Sequence, residues 1–133
     1  VVQGIAYNTV SAADKHNFTL LMAEFRSQLD AAGSRDGKHY YLTAAIGAGK
    51  DKIDQTEPAL YAQYMDWVNV MTYDYRGGWD ATGPTNFHAN LFADPNSPDH
   101  GNPVTSKYDS DDAISALIAA GMPPSKLQLG VPF

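Results

Sequence analysis

Three short runs, His39 to Ile46, Trp67 to Tyr73 and Lys126 to Phe133, are apolar at most positions and do not alternate cleanly with polar residues. A strand with one wet face alternates with a period of two, so these runs predict buried strands without a solvent face. The stretches between and before them have helical character. Phe18, Leu21, Met22, Phe25, Leu29 and Ala32 recur at helical spacing over residues 14–32, and Gly33 reads as the stop just past the end. Thr56, Glu57 and Pro58 supply an N-cap, an acidic first turn and a first-turn proline for a short helix to about Met65. Asp109, Ser110, Asp111 and Asp112 open a third helix, with Ile114, Leu117, Ile118 and Ala119 as its apolar residues and Gly121 and Pro123 as its stop.

The order helix, strand, helix, strand, helix, strand implies parallel strands covered by helices, an α/β fold. Three parallel strands leave two open edges, which a stable domain rarely tolerates. The expectation is therefore a piece of a larger α/β fold, either a barrel or a doubly wound sheet. Residues 1–13 show neither period and read as a loop entered from something upstream. Residues 74–108 hold four glycines and four prolines and read as one long irregular loop, a length usually tied to function.

The 133 residues suit one domain, and a net charge of -6 from 9 basic and 15 acidic residues excludes a phosphate-backbone binder and disfavours an anionic membrane surface. No apolar run approaches the ~20 residues of a membrane span, and the start of the sequence shows no leader pattern. With no cysteine, disulfides and thiol chemistry are excluded. His16, His39, His88 and His100 lack metal-ligand spacing, and no metal is expected. The stretch from Asp94 to Asn102 has prolines and no terminal Glu where a calcium loop needs one. Gly47-Ala-Gly-Lys50 departs from a phosphate loop, because Ala44 and Asp51 stand where Gly and Ser or Thr belong. Asn17-Phe-Thr19 is a glycosylation sequon inside a predicted helix. The acidic run at 109–112 is explained by the helix dipole.

The strongest cluster is Met71-Thr-Tyr-Asp-Tyr-Arg-Gly-Gly-Trp79. In parallel α/β barrels the carboxyl ends of the strands carry the active site. Tyr73 and Asp74 set a proton donor beside an acceptor, and Trp79 offers a flat face, as a sugar site requires. The alternative is that Met71 and Tyr73 fill core, Asp74 caps a turn and Trp79 packs under the loop. Composition alone does not decide between them.

Three segments carry a resemblance: Tyr41-Leu-Thr-Ala-Ala-Ile-Gly-Ala-Gly-Lys-Asp-Lys-Ile-Asp54, Met65-Asp-Trp-Val-Asn-Val-Met-Thr-Tyr-Asp-Tyr75 with Gly77 to Trp79, and Lys126-Leu-Gln-Leu-Gly-Val-Pro-Phe133. In this order they resemble the catalytic domain of bacterial-type family 18 chitinases. The resemblance implies a partial (β/α)8 TIM barrel, with these strands about the fifth to seventh of eight, and residues 1–133 as an internal piece of one catalytic domain. The family's acidic signature, Asp-x-x-Asp-x-Asp-x-Glu, is absent, and with it the catalytic acid.

The implied activity is retaining, substrate-assisted hydrolysis of β-1,4-linked N-acetylglucosamine polymers, with chitin and its oligosaccharides as partners. Carried over from the family's motif, Tyr73 would hydrogen-bond the acetamido group, and Asp74 would accept hydrogen bonds from the bound sugars. Met71 would pack beneath the reacting sugar, Trp79 would stack on a neighbouring one, and Ala45 would leave room for the acetamido methyl. No cofactor is implied, because the substrate supplies the nucleophile. A monomer is expected, and secretion follows from an insoluble substrate and from no residue here. The isolated 133-residue chain is expected to be inactive. Two alternatives stand beside the chitinase: a chitin-binding lectin on the same barrel, and a relative that cleaves other N-acetylglucosamine linkages.

Overall fold

The computed structural model describes residues 7–133; residues 1–6, part of the expected opening loop, lie outside the described residues. Helix α1 spans Asp14–Asp36, strand β1 Thr43–Gly47, helix α2 Lys50–Ile53 and helix α3 Pro58–Tyr61. Strand β2 spans Trp67–Met71, helix α4 Ser110–Ala119 and strand β3 Leu127–Leu129. The three strands form one parallel sheet in the order β1-β2-β3, with Gly47 opposite Met71 and Val70 opposite Leu129.

Helix α1 runs four residues beyond its expected end. Gly33 is inside it, where a methyl group would collide with the Lys38 carbonyl as the chain turns back. The left-handed residue that ends the helix is Gly37, at φ 66°. The strand expected from His39 begins only at Thr43, because Asp66 satisfies the backbone before it. The Asp66 carboxylate accepts from Leu42 N–H at 2.7 Å and contacts His39 Nε2 at 2.6 Å, while Asp66 N–H donates to Leu42 O. Burial pushes this carboxyl up, but the Leu42 amide, His39 and Arg26 outweigh it and hold Asp66 below the ordinary aspartate range. The Lys50–Ile53 turn was not expected. The helix begun at Pro58 is one turn long, ending at Tyr61, well short of Met65. Its flanking Thr56 makes no cap; the hydroxyl donates back to Ile53 O at 2.8 Å.

One sheet face is covered and the other is not, contrary to the expectation of two covered faces. Val68 and Val70 are fully buried under the helices, with Leu117 of α4, Tyr61 of α3, Met65 and Met122. Phe18 of α1 meets the edge of Tyr61 at 5.2 Å. The opposite face carries Thr43, Ala45, Gly47, Asn69 and Gln128, all exposed. These are small or polar, so strands that look uniformly apolar in sequence have a distinct, less greasy side.

Strand β2 stops at Met71, and the long excursion to Tyr108 is irregular apart from a 3-10 turn at Thr105–Lys107. It is nonetheless pinned. Asp99 accepts from Arg76 Nη1 at 3.2 Å, Asn86 Nδ2 at 2.7 Å and Thr105 Oγ1 at 3.1 Å. Asn90 O and Leu91 O accept from the Ser110 and Asp111 amides at the start of α4. Asp109 is the N-cap, its Oδ1 accepting from Asp112 N–H at 2.8 Å, with Asp111 and Asp112 in the first turn. Burial pushes the Asp109 carboxyl up. The acidic run thus opens the helix as expected.

Candidate functional site

The carboxyl ends of β1 and β2 form the rim of a groove of about 220 Å³ lined by Gly47, Met71, Tyr73, Asp74, Lys52 and Tyr108, among others. Of the five residues singled out in sequence, Met71, Tyr73 and Asp74 meet here. Their placement follows from local geometry. Met71 is the last β2 residue and faces the open side of the sheet, opposite Gly47. The next residue, Thr72, is buried and donates its hydroxyl to Gly130 O at 2.7 Å. Tyr73 then lies against Gly130, where a methyl group would come within 2.8 Å of Tyr73 Cε1. Asp74 takes up a left-handed backbone at φ 59°, a conformation that aspartate tolerates better than most residues, and this directs the chain into the long loop. Its carboxylate is exposed and lies 3.3 Å from His88 Nε2.

Ala45 and Trp79 are not in this groove. Ala45 pairs with Asn69, two residues back from the Gly47–Met71 pair and on the same open face, and borders a separate cavity of about 190 Å³ with Phe18, Ile46 and Leu117. Trp79 packs against Gly77, where any side chain would run into the indole, and remains 64% exposed. The Gly77–Asp80 turn that carries it is closed by Gly77 N–H to Asp80 Oδ2 at 3.1 Å and Asp80 N–H to Gly77 O at 3.0 Å.

Sequence reasoning missed the far wall. Tyr108 closes the long loop, and its hydroxyl donates to Asp51 Oδ1 at 3.1 Å while accepting from Lys52 Nζ at 3.3 Å. Lys52 also ion-pairs with Asp51. Burial pulls the Lys52 ammonium down, but Asp51 and Tyr108 overcome this and hold it above the ordinary lysine value. Burial raises the Tyr108 phenol, and it pushes Tyr75, whose ring centroid is 6.0 Å from that of Tyr108, up to about 12. Both phenols therefore stay protonated near neutral pH, and Lys52 stays charged. The one local signal for Lys52 was its position just past Gly47 and Gly49 at a strand's carboxyl end; nothing local marks Tyr108. Among the described residues, no three His, Asp or Glu side chains are grouped to hold a metal ion, and no helix is long and apolar enough to cross a membrane.

A parallel α/β sheet with phenol, carboxylate and ammonium groups collected at its carboxyl ends is the layout of an enzyme-type α/β chain. The chain belongs to glycosyl hydrolase family 18, whose family model, Glycosyl hydrolases family 18, matches residues 4–133. It is 41% identical over 130 residues to Chitinase A1 of Niallia circulans, an alignment covering 98% of this chain and 18% of that protein. Chitinase ChiA74 from Bacillus thuringiensis superposes with a TM-score of 0.90 at 42% identity, covering 99% of this chain and 20% of that one. A class V chitinase from Nicotiana tobaccum, solved in complex with NAG4, superposes with a TM-score of 0.77 at 33% identity over 96% of this chain and 34% of its own. The chain thus spans a fifth to a third of these relatives.

Proposed function

We propose that the protein carrying this chain is a chitinase that hydrolyses β-1,4-linked N-acetylglucosamine polymers with retention, the substrate's own acetamido group acting as nucleophile. The observation that supports this best is the adjacent Tyr73 and Asp74, in one groove with Met71 at the carboxyl end of β2, in a chain matching family 18 almost throughout. In this reading β1, β2 and β3 are about the fifth, sixth and seventh strands of a (β/α)8 barrel, and residues 1–133 belong to a single catalytic domain. The exposed face with Ala45 and Asn69 then looks into the barrel. The proton donor is a glutamic acid on a strand outside these residues.

That acid protonates the glycosidic oxygen as the acetamido carbonyl oxygen attacks the anomeric carbon and the leaving sugar departs. Water then attacks the same carbon from the face the leaving sugar vacated, and the anomeric configuration is retained. Tyr73 donates its phenolic hydrogen to the acetamido group and holds it in line for attack, an orientation effect that supplies several kcal/mol where geometry is tight, about 2 to 4 of them from one hydrogen bond. Asp74 accepts hydrogen bonds from the sugar and favours a distorted ring. Met71 packs under the reacting sugar, Ala45 leaves space for the acetamido methyl, and Trp79 stacks on a sugar on the leaving-group side through its exposed indole. No cofactor enters these steps. The protein acts as a monomer, and it acts outside the cell because its substrate is an insoluble polysaccharide.

Proton NMR of the products formed by the full-length protein from an N-acetylglucosamine tetramer in the first minutes tests this reading. The expected new reducing end is the β anomer, later equilibrating with α. An α-anomer product would contradict the mechanism, and binding without cleavage would make the protein a lectin.

A further inference from the structure

His88 stands in the long loop with its ring between two groups that can only accept hydrogen. Its Nδ1 lies 3.3 Å from the Arg76 carbonyl oxygen and its Nε2 lies 3.3 Å from Asp74 Oδ1. With Nδ1–H donating to the carbonyl, the ring is held with Nε2 toward the carboxylate. The histidine backbone is tied to the same turn, because its carbonyl accepts from Tyr75 N–H at 3.0 Å. The neighbouring Arg76 guanidinium does not compete for Asp74: it is engaged by Asp99, by Asp80 and by the Pro84 carbonyl. Among the described residues, His88 is the basic side chain within 4 Å of the Asp74 carboxylate.

We infer that His88 is a positioning residue for the site: reaching in from the long loop, its ring holds the exposed Asp74 carboxylate at the left-handed turn, so turnover depends on a side chain that does not itself line the groove. This rests on the reading of Asp74 as a sugar-contacting group.

The test uses the full-length protein and its variants H88A and H88Q. Glutamine carries two amide hydrogens and can serve both acceptors. On the N-acetylglucosamine tetramer at pH 6, H88A is expected to lower kcat about tenfold with KM within about threefold, the split of a group acting on the reacting geometry. H88Q is expected to recover much of that loss. Crystal structures at pH 6 should show the Asp74 carboxylate near His88 in the unaltered protein and turned away in H88A. An H88A protein with undiminished kcat, or with Asp74 in the same place, overturns the inference. If the unaltered protein cleaves no tetramer, the chitinase reading fails, and the two positions of Asp74 still decide the role of His88.

Discussion

Replacing Tyr73 by Phe in the full-length protein is expected to lower kcat on chitin oligomers about 100-fold, with KM changed by less than about threefold. The substitution removes one hydroxyl and leaves the ring, so the contact with Gly130 that seats the side chain is kept. What disappears, in the proposed mechanism, is the hydrogen bond holding the acetamido group in line. That bond is worth most when the acetamido oxygen is bonding to the anomeric carbon and least in the resting complex. A factor of 100 corresponds to about 2.7 kcal/mol of barrier. Equal losses in kcat and in oligomer binding would remove Tyr73 from the assigned role and make it a general sugar contact.

Gly130→Ala is expected to act on the same tyrosine from behind. Gly130 N–H donates to Val70 O at 2.9 Å, continuing the β2–β3 pairing past Leu129, and its carbonyl accepts from Thr72 Oγ1. The added methyl group would collide with the Val70 carbonyl and come within 2.8 Å of Tyr73 Cε1. Backbone on one side cannot give way, so the ring must move or the strands must part. Overpacking of this kind costs about 1–3 kcal/mol, and displacing Tyr73 should lower kcat at least tenfold. Gly78→Ala is the control: nothing lies within 4 Å of its added methyl. A Gly130→Ala protein that melts and turns over like Gly78→Ala would show that the close packing of Tyr73 on Gly130 is dispensable.

The two predictions separate what could be read along the chain from what could not. Strand β2 and helix α4 were legible because their determinants are local: Val68 and Val70 among apolar neighbours, and Asp109 capping a helix whose Leu117 is buried. The end of α1 was not, because Gly33 and Gly37 answer different needs, a close approach by Lys38 and a left-handed backbone, and both are simply glycine in sequence. The start of β1 depends on Asp66, 24 residues beyond the Leu42 amide it accepts from. Short polar runs hid the one-turn α2, and alternation within β1 was masked because Ala45 and Gly47 are small where a wet strand face usually shows charge. At the site, Met71, Tyr73 and Asp74 were legible as a motif at a strand end. Lys52, Tyr108 and His88 reach the same place only through the parallel pairing of β1 with β2 and through the pinned path of the long loop.

The claim on which the rest depends is that the substrate supplies its own nucleophile while Tyr73 steadies it. Measuring initial rates of the full-length protein on an N-acetylglucosamine tetramer and on the fully N-deacetylated tetramer tests this most directly. Losing a correctly oriented internal nucleophile should cost at least about 1,000-fold, so cleavage of the acetylated tetramer alone is predicted. Comparable rates on both would mean that a group of the protein attacks the anomeric carbon, and would contradict the account.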